Sequence, residues 1–177
     1  YGQYDDGKIA NIAPPNNRPG MISRMLAGSV GWGDACIIVP YEIYKITGDE
    51  RILRDNYDMM KKWYKYLENT AKVRGEKEFT AEEELRDYTF ETGINYGEWC
   101  EPGITPEQSM RSGNYDVATA YFCYSGRLLS EIAAILGNED EAKHYSKSSE
   151  MAGRAYIASF TENGDISSDR QSLYVRP

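Results

Sequence analysis

The 177 residues predict an all-α fold of two helical hairpins, each pairing a helix that is apolar on most faces with an amphipathic one. Three observations carry that expectation. The two kinds of helix alternate along the chain, the joints inside each pair match, and the connections outside the pairs are long.

In the first pair, 34–46 places Ala35, Cys36, Ile37, Ile38, Val39, Tyr41, Ile43, Tyr44 and Ile46 around nearly every face, the pattern of a wholly buried helix. Pro40 falls near its second turn, where it can kink the helix. The segment 49–71 instead sets Ile52, Leu53, Tyr57, Met60, Trp63, Tyr64 and Leu67 at spacings of three and four among charged residues, which marks an amphipathic helix. In the second pair, 117–136 is broadly apolar from Val117 to Leu136. The segment 139–160 carries one stripe of Ala142, Tyr145, Ala152, Ala155, Tyr156 and Phe160.

The joints TGDERIL (47–53) and LGNEDEA (136–142) each put a glycine after the first helix and acidic residues in the first turn of the second. Gly48 and Gly137 suit the left-handed residue that ends a helix, and the acids suit the positive end of the next. The stretches 1–33 and 72–116 are long by comparison and carry DDG, APPNN and RPG turn signals in the first of them. Long connections in compact domains are functional or disordered. If buried and half-buried helices alternate, the inner helices run the same way, and both long connections reach inner-helix N-termini at one rim. That rim is the expected site of chemistry.

Inner helices of this kind need a second layer around them. A closed toroid with inner and outer helix rings supplies one, as does an open solenoid of the TPR or HEAT kind, whose repeats run about 34 to 47 residues with short loops. The step from Asp34 to Val117 is far longer, so the toroid is expected. Its hairpins would be 34–71 and 117–160, with 1–33 and 72–116 as rim loops and 161–177 as the start of the next unit. Four helices are too few to close a ring, and the chain reads as a fragment.

Composition narrows the ligand. The net charge is −8 with no Lys/Arg cluster, which excludes nucleic acid as an expected partner and favours a neutral, polar small molecule. Fifteen tyrosines against four phenylalanines suggest half-buried, hydrogen-bonding aromatic surface, found in sugar clefts and in helical cores alike. Cys36, Cys100 and Cys123 are odd in number and widely spaced, so free or buried thiols are expected and no disulfide framework or zinc site. No run of about 18 apolar residues is present to span a membrane. His144 is the one histidine and lies in the second amphipathic segment, which excludes a Ser-His-Asp or Cys-His relay and a histidine metal cluster. The glycines of GSVGWG have the wrong spacing for a dinucleotide fingerprint, and no cofactor is expected.

The rim candidates are Trp32 and Asp34 in GWGDA, and Glu98, Trp99 and Glu101 in NYGEWCEPG. Two readings fit the first cluster. Trp32 packs while Asp34 caps the helix or complements its dipole, or Trp32 offers a flat face to a sugar ring while Asp34 accepts hydroxyl hydrogen bonds, with the glycines allowing close approach. Trp99 is either an apolar loop anchor or a second ligand wall. The charge-rich RGEKEFTAEEELRD (74–87) reads as a solvated excursion.

The segment GWGDACIIVPYEIYKITGDERILRDNYDMMKKWYKYL (31–67) resembles the catalytic domain of bacterial α-L-rhamnosidases, with Tyr44, Gly48, Asp49, Tyr57, Met60 and Trp63 at the family's positions. NYGEW resembles the family's next site loop, with Glu98 where Asp is usual. DGKIANIAPP resembles the loop before GWGDA, and DVATAYFCYSGRLLSEIAAILG the following inner helix. The resemblance implies an (α/α)6 toroid and hydrolysis of terminal α-L-rhamnosides with inversion, by an acid and a base roughly 6.5 to 9.5 Å apart. It implies that Trp32 and Trp99 line the rhamnose subsite beside Asp34 and Glu98. The family's general acid lies in an Asp-x-x-x-Arg-Glu stretch before the region matched by Tyr1 and its base after that matched by Pro177, so no catalytic residue is expected in this chain. The expected partners are a rhamnose-containing glycoside and the remainder of the parent catalytic domain. The alternative is a non-catalytic helical-repeat module that binds a glycan or protein through its aromatic rim.

Overall fold

Both joints turn the chain as their glycines require. Gly48 adopts φ +69° and its N–H donates to the Tyr44 carbonyl at 2.7 Å. Gly137 adopts φ +79°, and the Asn138 N–H closes on the Ala133 carbonyl at 2.8 Å, satisfying carbonyls that the helix end leaves open. The computed structural model describes residues 2–12, 20–79, 82–97, 103–105, 107–108, 112–162 and 165–166. Among these, the helices are α1 (Met21–Leu26), α2 (Ala35–Thr47), α3 (Arg51–Ala71), α4 (Glu83–Arg86), α5 (Tyr115–Ile135) and α6 (Glu139–Phe160). After α6, β1 (Thr161–Glu162) pairs antiparallel with β2 (Asp165–Ile166).

The hairpins α2–α3 and α5–α6 lie side by side, with α5 packed against α2, α3 and α6. Their core gathers Leu53, Met60, Trp63, Tyr64 and Leu67 from α3 with Phe122, Leu129 and Ile132 from α5, all at 1% exposure or less. Outer helices α3 and α6 are also tied by side chains. Tyr64 Oη donates to Ser148 Oγ (2.9 Å), Tyr57 Oη to Glu141 (2.8 Å), and His144 Nε2 lies 2.7 Å from Glu68 Oε1.

The expectation of all-round burial holds for α5 and fails for α2. In α2 only Ile37 and Pro40 are buried, while the stripe Val39, Ile43 and Ile46 is 52%, 39% and 83% exposed. An inner helix needs neighbours on both sides, and among the described residues α2 packs chiefly against α3 and α5. Segment 74–87 is largely exposed as expected, with Arg74, Glu76, Lys77, Glu78, Glu82, Glu83 and Glu84 at the surface, but it is anchored at its end. Leu85 of α4 is buried, Arg86 pairs with the buried Glu91 at 3.2 Å, and Glu91 also accepts from the Gly75 N–H at 3.0 Å. Helix α1 was not expected within the first rim loop.

Candidate functional site

The two long connections meet at one rim, beside the N-termini of α2 and α5, and a buried polar network joins them. Asn95 Oδ1 accepts from the Val30 N–H (3.2 Å), while its Nδ2 donates to the Gly113 carbonyl (3.0 Å). Ser29 Oγ accepts from the Tyr96 N–H at 3.0 Å. Asn114 takes the left-handed conformation at φ +47°, rare for a residue with a side chain. That conformation is held by Nδ2 donation to the Asn95 carbonyl (2.6 Å) and by Oδ1 accepting from Ser112 Oγ (3.1 Å). Ser29 is thus, with Asn95, a joint between the two loops.

Trp32 stands on this base. It is 42% exposed, and its ring lies 4.9 Å from that of Tyr96 at 54°. Tyr96 is fixed beneath: its hydroxyl accepts from Asn11 Nδ2 (2.9 Å) and donates to the Leu26 carbonyl (3.3 Å). Burial pushes the Tyr96 phenol above its usual range, so it stays neutral and keeps its proton to donate. A half-exposed indole with an immobilised neighbour is a flat apolar face beside polar groups, the chemistry that suits a sugar ring.

Asp34 is the N-cap residue of α2, as the dipole reading places it, but its carboxyl serves neither a capping bond nor an open face. It is fully buried, and its side chain makes no helix-capping bond. Oδ2 accepts from the Gly31 N–H at 2.7 Å, and Oδ1 accepts from Trp63 Nε1 at 3.0 Å and from Ser125 Oγ at 2.5 Å. The carboxyl thus joins the rim loop to α3 and α5, with no face turned to a ligand. Desolvation raises its pKa above the ordinary value, outweighing the hydrogen bonds from Ser125, Trp63 and Gly31. The glycines around it have separate reasons. Gly31 has φ +90°, and a Cβ on Gly33 would sit 2.3 Å from the Trp63 indole.

Glu98, Trp99 and Glu101 lie outside the described residues, as does Cys100. They directly follow Gly97, where an added Cβ would lie 2.5 Å from the Asn114 side chain. The sequence reading missed Asn95 and Tyr96 as parts of the site, although both stand in the NYGEW stretch it singled out. Among the described residues, no group of three or more His, Cys, Asp or Glu side chains is arranged to hold a metal, and no helix is long and apolar enough to cross a membrane.

Comparison with known proteins bears on both fold and site. A family model described as the bacterial alpha-L-rhamnosidase 6 hairpin glycosidase domain matches residues 2–177. An alpha-L-rhamnosidase of Formosa agariphila is 32% identical over 168 residues, 93% of this chain and 16% of that protein. One from Streptomyces avermitilis is 27% identical over 176 residues, 98% of this chain and 14% of that protein. The crystal structure of a Streptomyces avermitilis alpha-L-rhamnosidase complexed with L-rhamnose superposes with TM-score 0.66 at 26% identity, over 92% of this chain and 13% of that one. The structure of the enzyme from Dictyoglumus thermophilum superposes with TM-score 0.64 at 24% identity, over 92% of this chain and 16% of that one, and supports the fold. The chain therefore spans less than a fifth of the length of these relatives, and its helices match a six-hairpin α/α toroid rather than a short-repeat solenoid. With the family model covering nearly its whole length, the chain belongs to the bacterial α-L-rhamnosidase six-hairpin glycosidase domain family.

Proposed function

We propose that this chain is part of a glycoside hydrolase that cleaves terminal α-L-rhamnosides with inversion, and that it contributes one wall of the rhamnose subsite without the acid and base. The observation that carries this reading is the Trp32–Tyr96 pair, set on a hydrogen-bonded base where both rim loops meet. The Streptomyces relative, solved with L-rhamnose, supports the choice of sugar. Trp32 presents its ring to the apolar face of the sugar, and Trp99 with Glu98 completes the wall from the second loop. The acid and base belong to other parts of the polypeptide; the carboxyl of the GWGDA stretch, Asp34, is sealed beneath the surface.

The test is an assay on an aryl α-L-rhamnoside, following the anomer first released by NMR. The whole polypeptide should release β-L-rhamnose, and Trp32→Ala should raise KM on the order of tenfold or more, in line with the loss of a principal aromatic contact. The 177-residue chain by itself should show no turnover. Robust turnover by the isolated chain, abolished by Asp34→Asn, would overturn the reading.

A further inference from the structure

We infer that Asp34 is a positioning residue for the sugar platform: its carboxylate holds the Gly31–Trp32 turn onto the core, and can do so because it accepts hydrogen bonds at both ends. This rests on the subsite reading of Trp32. Two of its three donors, the Gly31 N–H and the Trp63 Nε1–H, can only donate, and they approach different oxygens. Ser125 can donate or accept. An amide in the same place accepts at one end only, so one of the two N–H groups would be left facing an NH2.

Which tie breaks follows from burial. Trp63 is at 0% exposure, whereas Gly31 is partly exposed. A donor stranded in the core costs more than one at a rim that water can reach, so an amide turns its oxygen to the indole. Asp34→Asn therefore releases Gly31, and with it the adjoining Trp32. Trp63→Phe removes the competing donor. In that background the amide turns its oxygen to Gly31 and its NH2 to Ser125 Oγ, and the tie is remade.

The experiment uses the whole polypeptide, with L-rhamnose affinity read by calorimetry and KM and kcat on a nitrophenyl α-L-rhamnoside. Asp34→Asn should raise the L-rhamnose Kd and the KM on the order of tenfold, with a smaller change in kcat, as misplacement of a binding wall does. Trp63→Phe should leave both near wild type, and Asp34→Asn/Trp63→Phe should match Trp63→Phe. If the carboxylate touched the sugar directly, the double variant would stay as weak as Asp34→Asn, and the inference falls. Should Asp34→Asn by itself fail to fold, the other two variants decide: equal affinity supports the positioning role and a loss overturns it. Trp32→Ala separates the layers of the argument. Weakened binding in Trp32→Ala with wild-type binding in Asp34→Asn overturns the positioning role and leaves the subsite standing, while unchanged binding in Trp32→Ala overturns the subsite itself.

Discussion

Val30 and Asn95, far apart in the chain, meet at the rim, where the Val30 N–H donates to Asn95 Oδ1 at 3.2 Å while Asn95 Nδ2 donates to the Gly113 carbonyl at 3.0 Å. One side chain, 2% exposed, bonds backbone on both sides of the candidate site.

Asn95→Asp keeps the acceptor for Val30 and turns the other end into a second acceptor facing the Gly113 carbonyl. The expected cost is about 1 to 3 kcal/mol, that of a buried polar group left without its partner. Hydrogen exchange should show the loss locally, with faster exchange at the Val30 and Tyr96 amides, whose acceptors are Asn95 and Ser29, than at amides within α6. Unchanged protection at Val30 would show that the two loops are held independently.

Gly33→Ala drives a methyl to within 2.3 to 2.7 Å of three atoms of the Trp63 indole, with both residues fully enclosed. Overpacking of this kind costs about 1 to 3 kcal/mol. A lowered midpoint in urea unfolding, together with an altered near-ultraviolet circular dichroism band from Trp63, is the expected result.

Two aspartates should show pKa values shifted in opposite directions. Asp34 is held above the ordinary carboxyl value of 3.8 by burial, so its contribution favours the folded state most below pH 3.8 and is lost as pH rises through its folded pKa. Asp49 is held at about 2 by the Arg51 side chain and N–H, so its contribution is present above 3.8 and is lost as pH falls through about 2. A carbon-13 NMR titration of the two carboxyls reads both midpoints in one experiment. A midpoint for Asp34 at or below 3.8 would mean that its three donors outweigh desolvation.

The uncovered stripe on α2 gives a contrast between the isolated chain and the whole polypeptide. In the isolated chain Ile46 is 83% exposed, and Ile46→Ala should change stability by no more than about 0.5 kcal/mol. Where a neighbouring inner helix covers it, the same substitution should cost about 2 to 5 kcal/mol. Equal, small costs in both would show that this face of α2 stays open in the intact ring.

The sequence by itself determined the local structure. The period of the apolar residues marked four long helices, and Gly48 and Gly137 marked both tight joints, because amphipathicity and left-handed caps are written in residues a few positions apart. The GWGDA and NYGEW stretches also marked the rim, since glycine and aromatic residues between helices carry a turn and a flat face together. Tertiary structure decided the roles within that rim. Asp34 has the same neighbours in sequence whether it caps, binds or braces. Only the arrival of Trp63 from α3 and Ser125 from α5 at one oxygen makes it a brace. Burial of α2 was likewise undecided by its apolar pattern, which records that a surface must be covered and not which segment covers it. Long-range contacts set both outcomes, and a carboxylate's chemistry follows from the donors that surround it rather than from its place along the chain.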